Sequence, residues 1–332
     1  MKRWFFRGLL FAGGLVLSIL MTSLATTALR ESKTPAEAAP ASGKFIQTRD
    51  ARLYVRQEGP VDGRHILLIH GTGAWGEIWR ETIDSLTAEH FNVLTVDIPP
   101  FGFSQKLTGA DSYAVGKQAD RLLDALRALD IQSTIIVCHS VGCRPALEAV
   151  LKRPEIAEKL VLADPALGFA ADRSRPQFEQ KNPGGLAKAF LSADLLRDAV
   201  TGIYGTNPLS IKPLFSSFVS NKAAVTDRRL GTLKQPLAVQ GMTRAEGDWL
   251  QNLAASPEHG LFTDFRSFAK LKMPILIIWG RDDAITPLWQ GEALPALFGN
   301  ARLTVIPDCG HIPYIEQTPA FNQRLLDFVK GG

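Results

Sequence analysis

Apolar residues collect in eight short runs: Phe45 to Thr48, Arg52 to Gln57, His65 to Ile69, Phe91 to Val96, Thr134 to Cys138, Leu160 to Ala163, Pro274 to Trp279 and Arg302 to Ile306. Runs this short and this rich in Ile, Val and Leu predict buried strands. Between and after them lie stretches with helical spacing, Glu77 to Ala88, Asp111 to Leu129, Val141 to Arg153 and Ala320 to Val329. Leu122, Leu126 and Leu129 share one face of the second of these, as an amphipathic helix requires. The alternation predicts an α/β class. Phe169 to Lys270 differs in character, with helix-like runs, Pro and Gly breaks and no convincing strand. Within it Thr243-Arg244-Ala245-Glu246 has the form of a capping box, opening a helix through Trp249, Leu250 and Leu253.

The first pattern in the chain is of another kind. Lys2, Arg3 and Arg7 precede an uncharged run from Gly8 to Leu29. At about 1.5 Å per residue, such a helix can cross a hydrocarbon core of about 30 Å. The basic flank would stay inside and the remainder outside. A cleaved signal peptide competes with the anchor, since small residues follow the densest apolar part at Ser23-Leu24-Ala25 and Thr26-Thr27-Ala28. Both readings export the main domain. Arg30 to Gly43, rich in Ala, Pro, Ser and Glu, is expected to be a disordered tether. The expected division is 1–29 anchor or signal, 30–43 linker, 44–168 first part of the core, 169–270 helical insertion and 271–332 second part of the core.

Charge alters little once located. The net +4 resides wholly in Lys2, Arg3, Arg7, Arg30, Lys33 and Lys44 against Glu31 and Glu37, so the rest is balanced. No basic face for nucleic acid is implied. The three cysteines, Cys138, Cys143 and Cys309, are too few for a disulfide framework and are expected as small buried thiols, a bridge among them being the alternative.

Candidate chemistry sits where strands end. His139-Ser140-Val141 links an apolar strand to a helix, with small residues, Cys138 and Gly142, two positions either side of the serine. Such a turn exposes a hydroxyl beside the free N–H groups of a helix start. The stretch resembles the Gly-x-Ser-x-Gly nucleophile elbow of the α/β-hydrolases, with Cys138 in place of the first glycine. Other motifs extend the resemblance from Lys44 to the C-terminus. His70-Gly71-Thr72-Gly73 is similar to the family's oxyanion loop, and Asp97-Ile98-Pro99-Pro100-Phe101-Gly102-Phe103-Ser104 looks like its Asp-x-Pro-Gly-x-Gly-x-Ser turn, with Pro100 for glycine. There Asp97 and Ser104 are expected to hold the loop. Gly280-Arg281-Asp282-Asp283 matches Gly-x-x-Asp, which selects Asp283 and leaves Asp282 as a solvated loop residue; Gly310-His311 carries the general-base signature.

The resemblance implies a doubly wound, mostly parallel α/β-hydrolase sheet with an inserted helical cap, and a triad of Ser140 as nucleophile, Asp283 as acid and His311 as base. It also implies an oxyanion hole from the N–H groups of Thr72 and Val141. His70 and His139 are expected to be supporting residues; His65, His90 and His259 are expected at the surface. Phe190, Leu214, Phe215, Phe218 and Trp249 are candidates to line a cavity under the cap, although for each of them packing of cap on core is the stronger expectation. The expected activity is that of a serine carboxylesterase on a small apolar acyl substrate, without metal or cofactor, with carbon–carbon bond hydrolase, lactonase and perhydrolase as alternatives on the same triad. Two other classes compete. Gly71-x-Gly73-x-x-Gly76 followed by Asp97 spells a dinucleotide fingerprint, though bulky Trp75 fits it poorly, and a catalytically silent exported binding protein would share the pocket.

Overall fold

The computed structural model describes residues 2–170, 176–179, 184–255 and 259–331. Of the expected cap, 171–175, 180–183 and 256–258 lie outside the described residues, as do the side chains of 1–12, those of Lys2, Arg3 and Arg7 included.

All eight apolar runs are strands of one sheet: β1 (Lys44–Gln47), β2 (Arg52–Glu58), β3 (Arg64–Ile69), β4 (Phe91–Val96), β5 (Thr134–His139), β6 (Ala157–Ala163), β7 (Ile275–Gly280) and β8 (Ala301–Ile306), in the order β1-β2-β4-β3-β5-β6-β7-β8. The β1–β2 and β2–β4 pairs are antiparallel and every later pair is parallel. β4, β5 and β7 are buried along their whole length. Their near-continuous apolar character follows from having helices on both faces.

Among the described residues, thirteen α-helices accompany the sheet. α1 (Lys2–Arg30) and α2 (Pro35–Ala38) precede it; α3 (Arg80–Ala88), α4 (Val115–Ala128) and α5 (Cys143–Lys152) cover its first half. α6 (Gly185–Ser192), α7 (Asp194–Tyr204), α8 (Ile211–Phe218), α9 (Asp227–Lys234) and α10 (Met242–Ala255) form the insertion. α11 (Trp289–Phe298), α12 (Pro313–Glu316) and α13 (Thr318–Lys330) close the chain. One core layer joins Leu67, Ile136, Leu160 and Ile277 to α4, α5 and α11; the other joins Leu68, Val137, Val161 and Ile278 to α3 and α13. Alternate residues of each strand feed opposite layers, as period-two side chains must. The insertion's last stretch behaves as core, because Phe262, Phe265 and Phe268 pack in the layer with α5 and α11.

Two expectations fail here. The Arg30 to Gly43 segment is not a loose tether. Arg30 donates to the Leu237 carbonyl and to the hydroxyls of Thr206 and Thr243, Lys33 bridges to Val239, and Thr34 and Glu37 form a capping box on α2. Cys138 and Cys143, expected as thiols, are joined in a disulfide with Cα atoms 5.0 Å apart, while Cys309 remains a buried free thiol. The bond could form because the tight turn brings the end of β5 against the start of α5, a proximity that sequence spacing does not reveal.

Candidate active site

Ser140 stands at φ 53°, in the left-handed region that a side chain rarely adopts. Strain of this kind persists only where the surroundings over-determine it, and here they do. A Cβ added at Gly142 would meet the His70 carbonyl oxygen at 2.1 Å, and one at Gly71 would meet His139 Nδ1 at 2.7 Å and Ser140 Cβ at 3.0 Å. The elbow and the His70–Gly73 loop therefore press together, backbone on backbone, with the disulfide bracketing the turn.

Three side chains far apart in sequence converge at this point. The Ser140 hydroxyl lies 2.8 Å from His311 Nε2, and His311 Nδ1 lies 2.7 Å from Asp283 Oδ2. With His311 Nδ1–H donating to the Asp283 carboxylate, Nε2 is left to accept from the serine hydroxyl. Asp283 Oδ1 accepts from the amides of Ile285 and Thr286, and Oδ2 from the Thr286 hydroxyl at 2.6 Å. Burial pulls the Asp283 carboxyl up, but the His311 partner and the Thr286 bonds outweigh it and hold the group below its ordinary range. Asp282, by contrast, is exposed.

Thr72 borders the cavity with Ser140 and His311, and Val141 is the middle residue of the short 3-10 turn Ser140–Gly142 that continues into α5. Neither N–H has an acceptor among the described residues. Two free amides beside a hydroxyl suit a developing oxyanion.

The flanking histidines are fixed as supports. His70 Nε2 accepts from the Ile98 amide at 2.9 Å, and His139 Nε2 donates to the His311 carbonyl at 2.8 Å. Burial lowers His70 to about 4; burial, then the neighbouring His311, lower His139 to about 3. Both stay neutral beside a base that must accept a proton. Asp97 holds its loops as expected, Oδ1 accepting from Gly76 N–H and Oδ2 from Phe103 N–H, both at 2.8 Å. Those bonds also remove the acid that a dinucleotide ribose would require, and Trp75 is buried beside Gly76. His90 and His259 are exposed as expected, while His65 is half-buried.

Some participants escaped sequence reasoning. Asp164, read only as the end of a strand, is fully buried, and its Oδ1 accepts from Gly280 N–H at 2.9 Å. Burial, then the charge of Asp283, push its carboxyl well above the usual range, so a neutral acid sits behind the charged one. Donor atoms of Asp164, Asp283 and His311 lie within 4.8 Å of one another. The His311–Asp283 hydrogen bond already occupies the pair that a cation would need. Glu316 gathers the amides of Gly310, Ser220 and Asn221 on Oε2, at 2.8–3.0 Å, which ties the cap to the base loop. The only local signal for it was a carboxylate five residues past His311.

Above Ser140 the insertion encloses a cavity of about 330 Å³, within the range of small-molecule sites. Phe190, Leu214, Phe215, Phe218 and Trp249, the five candidates, all line it. The anticipated capping box at Thr243 does not form. Thr243 lies inside α10, and its amide donates instead to Glu31 Oε1 at 2.8 Å.

A buried serine–imidazole–carboxylate relay at the carboxyl ends of a doubly wound sheet, roofed by helices, defines an α/β-fold hydrolase. The chain belongs to the α/β hydrolase fold family, whose model matches residues 64–318. Among its relatives, a 2-hydroxy-6-oxononadienedioate/2-hydroxy-6-oxononatrienedioate hydrolase of Cupriavidus pinatubonensis is 26% identical, covering 87% of this chain and 95% of the relative. A meta-cleavage product hydrolase of Pseudomonas fluorescens superposes with a TM-score of 0.65 at 24% identity, over 87% of this chain and 97% of that one. An enol-lactonase of Burkholderia xenovorans gives 0.67 at 18% identity, over 86% and 100%.

Proposed function

We propose that this hydrolase uses Ser140 as a nucleophile at a substrate carbonyl carbon. His311 takes the serine proton as the bond forms and then delivers it to the leaving group. Asp283 stabilises the imidazolium, and the amides of Thr72 and Val141 receive the oxyanion, each worth about 3 kcal/mol in comparable chemistry. Water activated by His311 releases the acyl product. The 2.8 Å approach of Ser140 Oγ to His311 Nε2 carries this reading.

Hydrolysis of a carbon–carbon bond next to a conjugated ketone is the leading reaction, since the relatives' names point to it ahead of the carboxylester cleavage expected from motifs. Ester or lactone cleavage is the second reading, favoured by the cavity wall. Its one arginine, Arg197, is bonded to Asp194, Asp198 and Asp248, so no described lining residue offers a free cation to a dioate. A fluorophosphonate probe should label Ser140 and not Ser140→Ala. Bleaching of a ring-cleavage dienone then separates the first reading from release of p-nitrophenol, and failure of all three assays sinks the enzyme.

We further propose an exported enzyme held to the membrane by α1, its catalytic domain outside. In support, Leu15, Leu17, Ile19 and Met21 are exposed on α1, whereas Ser23 is buried and donates to the Ala199 carbonyl of α7 at 2.7 Å. Cleavage after Ala25 or Ala28 would discard that contact, which favours a retained anchor. The disulfide suits an oxidising compartment. N-terminal sequencing of the mature protein, with carbonate extraction of membranes, tests this; a chain beginning after residue 25 and washing free would refute it.

A further inference from the structure

Glu246 is a charged-type residue with no evident duty. It lines the same cavity as Ser140 and is 8% exposed. The capping role its position suggests has been taken by Glu31, so its carboxyl is free to turn inward. One turn apart on α10, Met242, Glu246 and Leu250 share the cavity face, with Trp249 beside them. Gly205 leaves the space, since a Cβ there would lie 2.5 Å from Glu246 Oε1. Among the described residues no donor reaches the carboxyl. A buried polar group without a partner is costly and persists where something else satisfies it.

We propose that Glu246 is the binding site for the far end of the substrate, and that this end is an uncharged hydrogen-bonding group, such as a hydroxyl, on an otherwise apolar acyl chain. This rests on the hydrolase reading and narrows its substrate class. Among the described lining residues Glu246 is the only carboxyl; Arg197 is already paired and the neighbouring Thr201 and Tyr204 add only hydroxyls, so Glu246 is the strongest polar anchor at the roof. Burial, then the charge of Glu31, raise its carboxyl to about 7, with Arg30 opposing. A carboxylate tail would face Glu246, Glu31 and the aspartates around Arg197, and is disfavoured. An ammonium tail must lose its hydration in a cavity already flanked by Arg30. A neutral tail can donate to the carboxyl or accept from it in either protonation state.

The test uses full-length protein in detergent and p-nitrophenyl esters with tails of graded length ending in methyl, hydroxyl, carboxylate or ammonium. Wild type should prefer the hydroxyl tail at one length. Glu246→Gln should keep that preference, and Glu246→Leu should lose it about tenfold in kcat/KM while gaining on the methyl tail. The carboxylate-tailed ester should worsen from about pH 6 to 8 in wild type but not in Glu246→Gln. Unchanged tail ratios in Glu246→Leu, or an ammonium tail outrunning the hydroxyl one, overturns the proposal. Calorimetric binding of the same tails to Ser140→Ala and to Ser140→Ala/Glu246→Leu gives a readout independent of turnover. A tenfold weaker hydroxyl tail there supports the site even if no ester is cleaved, in which case only the hydrolase reading falls.

Discussion

The sheet and the cap solve different problems with different bonds. At the sheet end the reactive groups are held by backbone. Ser140 is pinned by glycine contacts no side chain could replace, and Asp283 by two amides and a hydroxyl. In the cap, polar order comes from side chains borrowed across the chain. Glu31 supports the start of α10, Glu316 latches Ser220 and Asn221, and Arg197 and Arg244 share three aspartates. Backbone-held chemistry tolerates little change. A roof joined by side-chain latches can be retuned without disturbing the reaction beneath it, which is why specificity is expected there.

If that division is right, core changes should abolish turnover and leave stability nearly intact. Ser140→Ala should lower kcat by at least about 10⁴-fold with little change in Tm. Asp283→Asn should cost about as much, because an amide facing Thr286 or His311 can set the wrong imidazole tautomer. A Ser140→Ala enzyme retaining a tenth of its activity would break the contrast outright.

Cap changes should reverse the pattern. Burial raises the Glu246 carboxyl from its ordinary value of 4.5 to about 7 in the folded protein. Its contribution to stability is therefore complete below about 4.5, declines as pH rises and is gone above 7, a span of order 3 kcal/mol. Glu246→Gln should lack this slope in urea melts across that range; an identical slope would show the carboxyl to be solvated. The core disulfide is the one expected exception to the division: it closes a very short loop around the elbow, so Cys143→Ala should cost about 2 kcal/mol in the same melts and also slow turnover. Glu31→Ala should cost about 1 kcal/mol. It should also expose residues 30–43 to limited proteolysis; unchanged proteolysis would mean that α1 and α2 dock without it.

Much of this was legible in the chain. The central strands, buried on both faces, are apolar along their length, and the edge strands β1 and β8 are short apolar-containing runs beside them, so all eight could be found from pattern, and each motif residue lies at a strand end where a parallel sheet exposes it. The α11 helix was missed because its apolar residues carry no clear period and Pro295 interrupts it. The disordered linker was a reading of composition, and composition does not report partners. The capping box failed for the same reason, since a local Thr-x-x-Glu pattern could not announce an acid 212 positions away.

Residue order alone therefore determined the class of fold, the three groups of the relay and the helices that roof them, because each depends on local periodicity or on a turn's own steric demand. Tertiary structure decided which thiols join, where residues 30–34 rest, that Asp164 and Glu316 support the site, and that Glu246 lines the cavity above Ser140. Those outcomes turn on which polar groups are left without water and must find one another across the folded chain, and no stretch of sequence contains that information by itself.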